Sequence, residues 1–171
     1  MQAERRRNEA AGTERAGLWV LMLACLCLMG VPPAFALPGG EEVVSGEVEF
    51  QRSGAQLDIH QGTNKAIINY ADFSIGAAEG VTFVQPGARS IALNRVPNGP
   101  VSNIAGRLTA NGRIMLINPS GIVFADSARV SVHGLIASAL NISDEDFLLD
   151  NYVFGGGVAG GCVVKSGGST N

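Results

Sequence analysis

Little in this chain could form a metal centre, a redox pair or a catalytic triad. It holds 2 histidines and 3 cysteines in 171 residues. Cys25 and Cys27 lie in an N-terminal leader, which leaves Cys162 alone beyond it and excludes an internal disulfide there. His60 and His133 fall in separate strand-like segments, and neither has a cysteine or second histidine at ligand spacing. Asp58 and His60, in "LDIHQ", share a strand face, either as a hydrogen-bonded pair or, on the favoured reading, as an amphipathic strand's solvent-side residues, with no nucleophile beside them. No catalytic residue, metal or cofactor is therefore expected. Positive charge is also sparse: from Leu37 onward there are 8 basic and 12 acidic residues, the basic ones scattered singly. Nucleic-acid binding calls for clustered Lys and Arg, so that class is excluded. Aromatic residues make up 6% of the chain, too few for a core of large rings. Long apolar runs are missing as well. The one candidate, "LWVLMLACLCLMGV" (Leu18 to Val31), is shorter than the roughly 20 residues a spanning helix needs.

What is present begins with a three-part export leader. Arg5, Arg6, Arg7 and Arg15 form a basic start, the apolar stretch follows, and "PPAFA" ends in Ala34-Phe35-Ala36. The expected cut falls between Ala36 and Leu37, making 1–36 a signal peptide. Glycine is abundant, 23 residues, and marks frequent corners. From Val43 on, strand-length runs alternate with Gly, Asn and Pro: "EVEFQ", "QLDIHQ", "KAIINY", "GVTFVQP", "RSIALNRV", "IAGRLTA", "RIMLI", "GIVF", "ARVSVHG", "LIASAL". Their period is two, pairing Val48 with Phe50, Leu57 with Ile59, Val81 with Phe83, Ile91 with Leu93, Ile114 with Leu116, Ile122 with Phe124 and Val130 with Val132.

Such spacing admits a sandwich, a barrel or a coil of stacked strands. The coil is favoured because Ile91/Leu93, Ile114/Leu116 and Val130/Val132, taken as inward pairs, return about every twenty residues, one rung of a parallel β-helix. A solenoid needs its first edge covered, and the more charged residues 41–60 are expected to pair antiparallel as that cap. "NISDEDFLLDNY" (Asn141 to Tyr152) interrupts the repeat with a short helix or acidic turn, Ser143 standing three residues ahead of Asp146. Residues 155–171 are expected to form a flexible glycine-rich tail without a closing strand, so the chain reads as interrupted. Gly155, Gly157 and Gly160 match G-x-G-x-x-G in form only, since no helix follows. Asn141-Ile142-Ser143 matches a glycosylation acceptor by a motif short enough to arise by chance.

"IMLINPSGIVF" (Ile114 to Phe124) is the most unusual stretch. Asn118-Pro119-Ser120-Gly121 fits a type I turn, yet both flanks are apolar, so the turn must satisfy its own polar groups. The Asn118 amide suits that task.

"SIALNRV" (Ser90 to Val96), "SNIAGRLTANGRIMLINPSGIVF" (Ser102 to Phe124) and "HGLIASALNISDEDF" (His133 to Phe147), in this order, resemble the N-terminal domain of filamentous haemagglutinin-type adhesins and haemolysins. These are the large two-partner secreted exoproteins of Gram-negative bacteria. The likeness spans roughly Gly40 to Phe154, within a domain taken as 37–154. It implies an all-β fold, a right-handed parallel β-helix with an N-terminal antiparallel cap. It also implies a role as secretion signal and folding nucleus, recognised by an outer-membrane β-barrel transporter with POTRA domains. A host-cell surface or glycan ligand would belong to the full-length exoprotein. The family turn Asn-Pro-Asn-Gly-Ile falls on Asn118, Pro119, Ser120, Gly121 and Ile122, with Ser120 as the departure. An earlier Asn-Pro-Asn-Leu motif of some relatives is missing. Asn94 and Arg95 stand where one branch has an Asn-Arg pair and form a secondary motif. The alternatives are a free-standing carbohydrate- or host-surface-binding β-helix and a truncated fragment.

Overall fold

Continuously apolar runs such as "KAIIN" and "RIMLI" are what strands buried on both faces require, and both are interior strands of one of three mostly parallel sheets. The computed structural model describes residues 36–156 and 161–165. Cys25, Cys27, the expected leader through Phe35, Gly157 and Gly160 lie outside the described residues. The strands are β1 (Glu42–Ser45), β2 (Val48–Ser53), β3 (Gln56–Gln61), β4 (Lys65–Asn69), β5 (Gly80–Val84), β6 (Ile91–Arg95), β7 (Ser102–Ile104), β8 (Arg107–Ala110), β9 (Arg113–Ile117), β10 (Ile122–Phe124), β11 (Arg129–Ser131), β12 (Gly134–Ser138) and β13 (Val163–Lys165). Among the described residues one helix, α1 (Asp144–Leu148), precedes β13.

The chain visits the three sheets in turn. One sheet is ordered β1-β4-β6-β9-β12, the second β13-β10-β7 and the third β11-β8-β5-β3-β2. All pairings above β3 and β4 are parallel, while β2 on β3 and β1 on β4 are antiparallel. This is a β-solenoid of about 3 turns with an antiparallel cap, as expected. The cap is split: β2 folds back on its neighbour in sequence, whereas β1 crosses to a different sheet.

The period of about twenty residues holds, but the faces differ from expectation. Register places Ala92 over Ile114 and Leu135, and Asn94 over Leu116 and Ala137, so Ile91 and Leu93 point away from Ile114 and Leu116. Val130 belongs to another column, above Leu57, Val81 and Leu108. Alternation could not reveal this because β6 and β9 bury both faces. The inner core gathers Leu57, Ile59, Ile68, Phe73, Val81, Phe83, Ile104, Leu108, Ile114, Leu116 and Ile122. Each such side chain contributes roughly 1.5–3 kcal/mol on full burial.

Outside the first sheet lies a second apolar stripe of Ile67, Ile91, Leu93, Met115 and Ile117. Residues 141–155 cover it. Asn141 and Gly155 close this excursion with reciprocal backbone bonds of 2.9 and 2.8 Å, and Ile142 and Phe147 fill it from above. Ser143 caps α1 as expected, its hydroxyl accepting from Asp146 N–H at 3.0 Å. Lys65 donates to Leu148 O at 2.7 Å and pairs with Asp150 at 2.8 Å. The tail expectation needs one correction: β13 lies inside the glycine-rich stretch and pairs parallel with β10. Its β-branched Val163 and Val164 suit a strand, and a preformed edge awaits them.

Tyr70 gives a pH prediction. It is 2% exposed, stacks edge-on against Phe73 with ring centroids 5.0 Å apart, and its hydroxyl finds no partner among the described residues. Burial pushes its pKa well above the ordinary 10.0. The unfolded chain then loses the Tyr70 proton first, so stability is full below about pH 10 and falls as pH rises from there through the folded pKa. Tyr70→Phe should leave neutral-pH stability equal or higher and flatten that alkaline decline, as read by urea unfolding at stepped pH.

Candidate functional site: an asparagine-anchored corner

Asn118 follows β9, where the chain must leave one sheet for another while its neighbours Ile117 and Ile122 stay buried. At 0% exposure it can call on no solvent, so its polar groups must find partners within the protein. Its side-chain amide donates to Pro100 O at 2.7 Å and to Ser102 Oγ at 2.9 Å. Its side-chain oxygen accepts from Ser120 N–H at 2.9 Å. Its backbone carbonyl accepts from Gly121 N–H at 2.9 Å, closing the expected four-residue turn, and its own N–H donates to Ser138 O at 3.0 Å. The corner thus reaches both adjacent rungs, down to Pro100 and Ser102 and up to Ser138.

Gly121 ends the turn at φ +113°, a conformation that glycine adopts without strain. The tip itself is open. Ser120 is exposed and donates through Oγ to Gly99 O at 2.9 Å, and Pro119 is half-buried. Ile122 is fully buried in the inner core. Of the five expected positions, Pro119 and Ser120 alone present a surface, while Asn118, Gly121 and Ile122 are interior supports.

The corner forms part of a tight column. A Cβ on Gly99 would lie 2.2 Å from Ala71 O, and one on Gly161 would lie 2.1 Å from Pro119 O. Sequence reading missed Gly99, Pro100 and Ser102 as partners of the turn. The only available signal was "PNGP" (Pro97 to Pro100) about one rung before it.

The secondary motif does not join this network. Asn94 points inward between Ile68 and Leu116, its amide donating to Ala92 O at 3.2 Å and Met115 O at 3.3 Å. Arg95 points outward, donating to Ile142 O and to Asp144 Oδ1, each at 2.8 Å, and so holds the start of α1 to the first sheet. Asp58 accepts from Gln56 at 2.9 Å rather than from His60. Among the described residues, no group of three or more His, Cys, Asp or Glu side chains converges as a metal site. At the other end of the domain Ala36 is exposed and Leu37 is half-buried against the inner core.

A parallel solenoid with an antiparallel cap is the fold of a class of secretion domains. Residues 34–170 match the family model of the TPS secretion domain, and the chain belongs to that family. It is similar to the heme/hemopexin-binding protein of Haemophilus influenzae strain Rd, 41% identical over 106 residues, covering 62% of this chain and 12% of the relative. A second Haemophilus influenzae protein of the same name is 38% identical over 106 residues, covering 61% of this chain and 11% of its own. The crystal structure of the HMW1 secretion domain from Haemophilus influenzae superposes with a TM-score of 0.71 at 33% identity, covering 75% of this chain and 35% of that one. The chain spans about an eighth or less of the curated relatives' length. Proteins of this family are secreted, and membership implies an outer-membrane transporter partner in general.

Proposed function

We propose that this domain carries its exoprotein out of the cell by presenting the Asn118–Ile122 corner to an outer-membrane β-barrel transporter with POTRA domains, after signal cleavage between Ala36 and Leu37. The observation that carries the reading is the corner's division of labour. Asn118 is wholly buried and makes three side-chain hydrogen bonds, while Ser120 at the tip is exposed. A turn so fully specified from within keeps its shape without help from its tip, and this leaves the tip free for recognition.

Before folding, the same residues form an extended apolar segment suited to adding a strand to a partner's sheet or groove. Stacking of successive rungs outside the cell then favours onward passage. The finer assignments follow the same likeness: an adhesin or haemolysin as the full-length protein, with a host surface or glycan as its ligand. The two relatives named for heme and hemopexin binding make a heme carrier another candidate ligand. Deleting the cognate transporter should leave the processed protein in the periplasm, read by fractionation and immunoblot. Undiminished release into the medium would sink the proposal.

A further inference from the structure

Glu79 is a buried ionisable group for which export recognition has no use. It closes the turn before β5, its N–H donating to Gly76 O at 2.9 Å, and it is 6% exposed. One carboxylate oxygen accepts from Gly76 N–H at 2.6 Å and the other from Ala36 N–H at 2.7 Å. Among the described residues no cation pairs with it. The ion pairs there are Arg52 with Glu41, Lys65 with Asp150 and Arg95 with Asp144. A carboxylate withdrawn from water and met by neutral donors alone lacks the compensation that buried charges ordinarily find. Its position is telling, because one of those donors is the last residue of the expected leader.

The geometry points to the chain's own α-ammonium as the missing cation: Glu79 is the receptor for the N-terminus that processing creates. This rests on the reading that cleavage falls between Ala36 and Leu37. Hydrolysis there consumes one water, breaks the Ala36–Leu37 peptide bond, leaves a carboxylate on the departing Ala36 and gives Leu37 an amine that protonates in neutral solution. The Ala36 amide leaves with the leader, and the new cation stands one residue further on, a Cα step of about 3.8 Å.

The rest of the segment is already fixed. Leu37 packs on the inner core, Pro38 is buried, and Gly39 is bonded to Asp72 and Ala71, with its N–H donating to Asp72 O at 3.0 Å and its carbonyl accepting from Ala71 N–H at 3.0 Å. Leu37 is then the one residue that must turn for its ammonium to meet the oxygen that Ala36 vacates. A bond between opposite charges replaces one from a neutral donor, and it supplies the compensating charge that the buried carboxylate lacks. Removal of the leader therefore tightens the fold, whereas the uncleaved precursor lacks this contact.

The test uses the processed protein beginning at Leu37, with its α-amine free or acetylated. The acetylated form should unfold at lower urea concentration than the free form, and Glu79→Gln should lower the midpoint of the free form more than that of the acetylated one. Acylation of the Leu37 amine by an amine-reactive reagent, followed by peptide mass spectrometry, should be at least tenfold slower in the folded wild type than in Glu79→Gln, with Lys65 and Lys165 unchanged. Equal midpoints for free and acetylated wild type would overturn the proposal, and this comparison needs no variant to fold. Equal labelling rates in wild type and Glu79→Gln would overturn it too. Sequencing the N-terminus of the exported protein is a separate matter: a start other than Leu37 defeats the cleavage reading, while the ammonium site stands or falls on protein prepared with Leu37 first.

Discussion

Asn118→Ala will destabilise the folded domain by about 3 kcal/mol and hold the protein in the periplasm. The substitution removes the bonds to Pro100 O, Ser102 Oγ and Ser120 N–H together, all of them drawn from a residue at 0% exposure. An unsatisfied buried polar group costs about 1–3 kcal/mol, and partial relaxation of the exposed tip keeps the sum below three full penalties. Urea unfolding of the purified domain reads the first effect, and fractionation of expressing cells reads the second.

Loss of export could follow from instability alone, so the comparison variant is Leu108→Ala. Leu108 is fully buried in the inner core on β8, in a different sheet from β9 and β10 that flank the corner, and its truncation costs about 2–5 kcal/mol. If the transporter reads the corner, Leu108→Ala is exported far better than Asn118→Ala at matched stability. Equal retention of the two would show that export tracks folding rather than the turn. Ser120→Asn introduces, at an exposed position, the residue that the resemblance implies there, and should be exported at least as well as the parent.

Much of this fold was legible because stacking imposes its own grammar on the chain. Strand-length runs, glycine and asparagine corners and a return of about twenty residues follow from rungs that repeat, and they held. Which face each residue takes did not follow. In β6 the inward residues are Ala92 and Asn94, the less apolar choices, because the outward Ile91 and Leu93 are buried beneath the 141–155 excursion. A strand covered on both sides has no alternation to read, and its cover lies about fifty residues away in sequence. The corner was half legible for a similar reason. Asn118 declares itself by standing polar among apolar neighbours, but its partners Pro100 and Ser102 come from the rung below, and only the rung register brings them there. Asn94 and Arg95 are adjacent in sequence and face opposite sides of one sheet. That separates the core-facing asparagine from the arginine that anchors α1, so in the folded domain the pair does not present one surface.

Gly99→Ala should be nearly as damaging to stability as Asn118→Ala, though it removes no hydrogen-bonding group. The added Cβ would lie 2.2 Å from Ala71 O and 2.4 Å from Val96 Cγ1, and the first of these is backbone in the rung below. That backbone cannot yield cheaply, because Ala71 N–H is itself bonded to Gly39 O at 3.0 Å and Tyr70 N–H to Arg95 O at 2.8 Å. The 97–100 loop must instead lift, and it carries with it Gly99 O and Pro100 O, the acceptors for Ser120 and Asn118. Overpacking of this kind costs about 1–3 kcal/mol, and with two rungs pushed apart the expected value is the upper end. For a chain of this size that lowers the melting midpoint by about 6–12 °C. Gly87→Ala is the internal control: nothing lies within 4 Å of its added Cβ, so the midpoint should hold or rise slightly as the unfolded chain loses freedom. If Gly99→Ala melts with Gly87→Ala, the corner column is not close-packed, and the shape of the Asn118 turn does not depend on the rung beneath it.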